Sequence, residues 1–171
     1  MLFRSQRSSL GGARPKRTLQ NHGVLILVKP RDRYDQCDIP ALEHACMTFA
    51  AGKGLNVART ALYAEKPSTL LVERFDRMPP ADMSVRIPML SALTLLDAEW
   101  HTTDRSAWVY ASVANEMSRR GVPAQDLQEL FKRMCFNALV GNDDDHPKNH
   151  AILWLKRSEE HTSELQSPPL S

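Results

Sequence analysis

The residues best suited to chemistry in this chain are packed into Gly141-Asn142-Asp143-Asp144-Asp145-His146-Pro147-Lys148-Asn149, between an amphipathic run and the apolar Ala151–Leu155. Asp144 and Asn149 stand five residues apart. That separation suits phosphoryl transfer: a tight loop can aim a carboxylate at an attacking hydroxyl while an amide oxygen takes a magnesium ion beside the phosphates. A solvated turn has the same three-acid composition, so the neighbours decide. A calcium loop beginning at Asp143 needs glycine sixth and glutamate twelfth, and Lys148 and Trp154 occupy those places. His146 and His150 have the spacing of zinc ligands on one helical turn, but Pro147 interrupts it and no glutamate follows His146. Zinc is a weak alternative.

The elements that must position this loop can be read from periodicity and turn chemistry. Val24–Val28 is short, apolar and β-branched, follows the turn signal Asn21-His22-Gly23, and predicts a buried strand ending at Lys29. Asp38 can cap a helix with Pro40 in its first turn and Leu42, Ala45, Cys46, Phe49 and Ala50 at helical spacing, ended by Gly52 and Gly54. Val57–Tyr63 is extended, Lys66-Pro67-Ser68 turns, and Thr69–Val72 is a strand leading into Glu73-Arg74-Phe75-Asp76-Arg77 before Pro79-Pro80 breaks the pattern. From Ser91 onward the pattern becomes helical, over Ser91–Leu96, Ser106–Arg120 and Pro123–Val140. The last segment aligns Leu127, Leu130, Phe131, Met134, Cys135, Ala138 and Leu139 on one wide apolar face, expected in a core, and delivers the chain to Gly141.

A phosphoryl-transfer site also needs donors for the phosphates. Ser8-Ser9-Leu10-Gly11-Gly12-Ala13-Arg14-Pro15-Lys16 can form a backbone cradle, since glycines let successive amides turn toward an anion. A flexible basic terminus has the same composition, and a transit peptide a similar charge. Lys29 closes a strand and Glu43 lies on the next helix, the pairing by which a lysine is held against nucleotide phosphates. Leu71–Phe75 can bond an adenine edge through its backbone and flank the ring with Val72 and Phe75, although ordinary core packing explains those two equally well.

Composition bounds the rest. With 171 residues and 42% hydrophobic content the chain can bury a core, and a net charge of +2 demands neither nucleic acid nor a membrane. Three widely spaced cysteines, Cys37, Cys46 and Cys135, read as free thiols of a reducing cytoplasm. The longest strongly apolar run, Val24–Val28, is far too short to span a bilayer.

With these residues assembled, the chain resembles the HipA-type serine/threonine kinases, toxin components of bacterial type II toxin–antitoxin modules. The resemblance runs from about Ser8 to Leu155. It rests on Ser9–Lys16, Asp32-Arg33-Tyr34-Asp35, Leu71–Arg77, Ile87–Leu96, and Phe136–Asn142 with the acidic loop. It implies an α+β, bilobal, protein-kinase-like fold with a small β-rich lobe and an incomplete helical lobe closing over ATP and Mg²⁺. The implied parts are a basic phosphate loop over 1–20, the small lobe and connection over 21–78, and a helical lobe with the catalytic loop over 79–156.

Carried over residue by residue, the resemblance makes Asp144 the catalytic base, with His146 and Lys148 in the same loop and Lys148 facing the transferred phosphoryl group. Asn149 becomes the metal ligand and Lys29 the phosphate lysine paired with Glu43. Ser9, Gly11, Gly12 and Lys16 form the nucleotide loop, Ser9 being open to autophosphorylation, and Glu73 and Phe75 join the adenine-binding connection. The implied protein substrate is an aminoacyl-tRNA synthetase. The implied partner is an antitoxin of the HipB type, with DNA reached only through it, and the implied location is cytoplasmic.

The departures carry expectations too. The family places a further metal-binding Asp on a Tyr-Asp segment beyond the loop, and none follows here. Arg157–Ser167, read back into codons, reproduces a common sequencing-library adapter, so residues 157–171 are expected to be a non-native tail and the chain a fragment truncated at both ends. Impaired phosphoryl transfer follows as an expectation, with a non-catalytic nucleotide- or antitoxin-binding remnant as the alternative.

Overall fold

The computed structural model describes residues 4–6, 16–65, 67–77, 86–156 and 161–166, with 4–6, 155, 156 and 161–166 described in backbone only. The chain divides into two compact units, one holding 1–53 and 57–86 and the other 54–56 and 87–170.

The first unit is an antiparallel sheet covered by one helix. Its strands are β1 (Arg4–Gln6), β2 (Arg17–Asn21), β3 (Val24–Pro30), β4 (Thr60–Tyr63) and β5 (Thr69–Glu73), in the order β1-β2-β3-β5-β4. Asn21 pairs with Val24, so His22 and Gly23 form a two-residue hairpin loop, and both have positive φ as a twist-matched primed turn requires. Helix α1 (Ile39–Gly52) starts as its sequence predicts: Asp38 Oδ1 accepts from the Ala41 amide at 3.0 Å and from Ser68 Oγ at 2.6 Å. These two bonds, the Ser68 hydroxyl foremost, hold the Asp38 carboxyl below its ordinary range. Leu70 and Val72 on β5 form the unit's apolar core with Met47 of α1, flanked by Leu27, Val57 and Ala58.

The second unit combines β6 (Met89–Ser91), α2 (Ala92–Leu95), α3 (Tyr110–Arg119), α4 (Ala124–Leu139), a single 3₁₀ turn at Pro147–Asn149, β7 (Ala151–Lys156) and β8 (His161–Gln166). Its three strands run β6-β7-β8, so the backbone of the expected non-native tail lies antiparallel beside β7. Ala92, Leu95, Val113, Met117, Leu130 and Ile152 pack together as its core.

Two helices bury a different face from the one their apolar residues predicted. On α1 the buried stripe is Pro40, Glu43, Met47 and Ala50, while Leu42 and Phe49 are 52% and 56% exposed. On α4 the buried residues are Asp126, Leu130 and Arg133, while Phe131 and Leu139 are 62% and 85% exposed. In both cases a polar residue goes inside because a partner meets it there. Lys29 neutralises Glu43. Arg133 lies 2.8 Å from Glu129 and donates to the Asn56 carbonyl, while Glu129 accepts from the Asn56 amide at 3.0 Å. Periodicity weighs apolar side chains alone and cannot register such compensation.

The expected helix at Ser106–Arg120 begins only at Tyr110, and the extended segment from Val57 becomes paired strand only at Thr60. Among the described residues no helix is long and apolar enough to cross a membrane.

Candidate functional site

Helix α4 ends in a way that aims the loop. Gly141, at φ +67°, donates its amide to the Ala138 carbonyl, and the Asn142 amide reaches back to the Asn137 carbonyl at 2.9 Å. That is a Schellman ending, and it turns the chain sharply off the helix axis. Asn149 then closes the loop, with Nδ2 donating to the Asp144 carbonyl at 2.7 Å and its backbone amide to the His146 carbonyl at 2.8 Å. The Asn149 amide nitrogen is thereby engaged, which leaves Oδ1 as the atom suited to a hard cation. The His150 carbonyl accepts from the Ala92 amide at 2.8 Å, fastening the far end to α2.

The middle acid anchors this arrangement. The Asp145 carboxylate accepts from Tyr110 Oη at 2.5 Å and Asn137 Nδ2 at 3.0 Å on one oxygen, and meets His150 Nε2 at 2.6 Å on the other. Asn137 also donates to Tyr110 Oη at 3.1 Å. Burial pushes the Asp145 carboxyl up, but the bonds from His150, Tyr110 and Asn137 outweigh it, so its pKa falls below the ordinary value. Burial, followed by the neighbouring carboxylate, drives the Tyr110 phenol strongly upward, so it stays protonated and donating.

Asp144, by contrast, is 52% exposed, with Oδ1 3.6 Å from His146 Nε2. Adjacent residues thus divide the labour, Asp145 holding the loop and Asp144 facing solvent. His146 packs edge-on against Trp100 with centroids 4.8 Å apart, and the Lys148 ammonium lies 3.6 Å from the centroid of the same indole. The two histidines considered for zinc take different neighbours, His150 meeting Asp145 and Tyr110 and His146 meeting Asp144 and Trp100.

The first unit holds a charged pair of its own. Lys29 Nζ donates to Glu43 Oε1 at 2.8 Å, with the two side chains 12% and 4% exposed. Lys29 lies opposite Leu70 in the register and Glu73 opposite Ile26, so Glu73 closes β5 as a paired residue. Phe75 follows the strand, half-buried, and the Arg74 amide donates to the Leu25 carbonyl at 2.8 Å. Lys16 immediately precedes β2, whereas Ser9, Gly11 and Gly12 lie outside the described residues.

The sequence of the HipA-like C-terminal domain family matches residues 8–165. The chain belongs to that family. The matched span runs past Leu155, where the sequence resemblance was expected to end, and takes in most of β8. Among solved structures, the fold is similar to that of a Helicobacter pylori proinflammatory kinase, CtkA, with a TM-score of 0.68 at 18% identity over 98% of this chain and 56% of that one. The α+β, kinase-like architecture expected from the sequence is therefore the observed one. The chain spans about half the length of that kinase chain. No curated protein matches the sequence.

Tyr110, Trp100 and Trp108 escaped sequence reasoning, and Asn137, Asp145 and His150 were seen there without their mutual contacts. The tyrosine is 35 residues from Asp145 and 40 from His150, so no local spacing could join them.

Proposed function

We propose that this HipA-like domain belongs to an ATP-dependent serine/threonine protein kinase, with Asp144 as base, Lys29 as the phosphate lysine and Asn149 as a magnesium ligand. The observation that carries the reading is the division within the loop, where the network on Asp145 immobilises the backbone while the adjacent Asp144 side chain stays half exposed. The donor fits the ion: Asn149 Oδ1 is a hard oxygen, and magnesium favours one or two protein oxygens completed by substrate phosphates and water. When bound, the ion supplies neutralisation of charge on the phosphates.

The chain's own residues do the rest. Glu43 fixes the Lys29 ammonium where it can meet phosphate oxygens. Asp144 takes the proton of the acceptor hydroxyl as that oxygen bonds to the γ-phosphorus and the bond to the ADP oxygen breaks. Lys148 places positive charge beside the group in transfer, and Glu73 and Phe75 lie on the strand end and connection that would meet adenine. Family membership supports a toxin role with a HipB-type antitoxin, a substrate among the aminoacyl-tRNA synthetases and a cytoplasmic site.

A second reading is a domain that retains nucleotide or antitoxin without chemistry. A thermal-shift titration tests the shared element of both readings. Mg-ATP should raise the melting temperature of the wild type and do so much less for Lys29→Met and Asn149→Ala. An unchanged melting temperature at millimolar Mg-ATP would remove nucleotide binding from the account.

A further inference from the structure

The loop's two basic side chains, His146 and Lys148, share a neighbour outside the loop. Trp100 meets both, and it is itself stacked on Trp108 at 5.2 Å and 17°, with the Arg105 guanidinium 4.8 Å from the Trp108 centroid. A lysine stem has four rotatable bonds, and on an exposed loop residue such as Lys148 the ammonium would otherwise sample a wide volume. An indole face at 3.6 Å confines it electrostatically without removing its charge.

His146 points the same way. Its Nδ1 is buried with no hydrogen-bond partner, so packing takes part in orienting the ring, and Trp100 supplies an edge-on aromatic contact to it. The Trp108 Nε1 is likewise buried and without a partner, so stacking rather than hydrogen bonding places that indole. Five side chains, Trp100, Arg105, Trp108, His146 and Lys148, thus form one aromatic and cationic assembly, with Trp100 at its centre.

We propose that Trp100 is a positioning residue for the catalytic loop, its indole holding the Lys148 ammonium and the His146 ring where they meet the terminal phosphate of a nucleoside triphosphate. The proposal rests on the nucleotide-binding reading above. It separates Trp100 from a purely structural aromatic: loss of packing would weaken every nucleotide, whereas loss of Lys148 placement weakens the triphosphate selectively.

The test uses the whole chain and two readouts. After reductive ¹³C-methylation, which preserves lysine charge, the Lys148 signal is assigned by its disappearance in Lys148→Arg. In the wild type that signal should be displaced upfield by the indole ring current. The displacement should be lost in Trp100→Leu and largely kept in Trp100→Phe, which retains a ring face. Calorimetric titration with Mg-ATP and Mg-ADP then gives the ratio of their dissociation constants. The preference for ATP should fall by about twofold to thirtyfold in Trp100→Leu and recover in Trp100→Phe.

A wild-type Lys148 signal among those of ordinary exposed lysines would overturn the proposal, as would an unchanged ATP preference in folded Trp100→Leu. Loss of both readouts in a folded Trp100→Phe would overturn the argument from the ring face. Binding of neither nucleotide by the wild type would end the functional reading and the purpose assigned to Trp100, while the methyl-lysine signal still reports whether the contact exists.

Discussion

Replacing Asp145 by alanine should destabilise the second unit far more than its place in a polar, acidic loop suggests. The carboxylate receives Tyr110 from α3, Asn137 from α4 and His150 from the residue before β7, at 2.5, 3.0 and 2.6 Å. Hydrogen bonds to a charged group contribute about 1.5–3 kcal/mol each. Their sum overstates the loss, because Asn137 and Tyr110 also bond each other and the Asp145 carboxylate, 14% exposed, keeps some access to water. A net cost of about 2–4 kcal/mol remains, equivalent to a fall in melting temperature of roughly 4–16 °C for a chain of this size.

The assay has a built-in reporter. Trp100, Trp108 and Trp154 are the only tryptophans, and all lie in the second unit, so indole fluorescence follows that unit alone. Asp143→Ala, at an exposed neighbour, is the control and should stay within about 0.5 kcal/mol of wild type. The pH dependence has a definite sign. The folded Asp145 pKa lies below its unfolded value, so its contribution is present above about pH 4 and is lost as pH falls through the folded pKa. The gap between wild type and Asp145→Asn should be widest near neutrality and close in acid. A melting midpoint for Asp145→Ala within about 1 °C of wild type would refute the anchoring role.

Glu43→Gln should cost about 3 kcal/mol, because it leaves the Lys29 charge buried beside a neutral amide, and the paired change Lys29→Met with Glu43→Leu should cost less. Amide hydrogen exchange across β3 reads both. Leu139→Ser should shift stability by no more than about 0.5 kcal/mol, whereas Leu130→Ala on the same helix should cost about 2–5 kcal/mol, as urea denaturation will measure. Equal effects would restore the apolar face that periodicity predicted.

What the sequence revealed depended on the range of the interaction. The cap at Asp38, the His22-Gly23 hairpin and the glycine ending at Gly141 are local devices, and each forms where its residues predict. The Lys29–Glu43 pair was legible because a strand end and the following helix are close in sequence. The inward faces of α1 and α4 were not, because Glu43 and Arg133 are buried by charge partners that hydropathy does not count. The Asp145 network joins residues separated by up to 40 positions, and the Trp100–Trp108 stack has no motif of its own. The polar residues of the loop were therefore plain in the sequence, and the scaffold holding them became visible only in three dimensions.

The most direct test of the central claim is transfer of radiolabel from γ-³²P-ATP, with magnesium, to the chain itself and to an added aminoacyl-tRNA synthetase. The account predicts labelling of serine or threonine that disappears in Asp144→Asn while Mg-ATP binding persists. Labelling that continues undiminished in folded Asp144→Asn would contradict the assignment of the base, and no labelling of either protein at saturating Mg-ATP would leave binding without transfer.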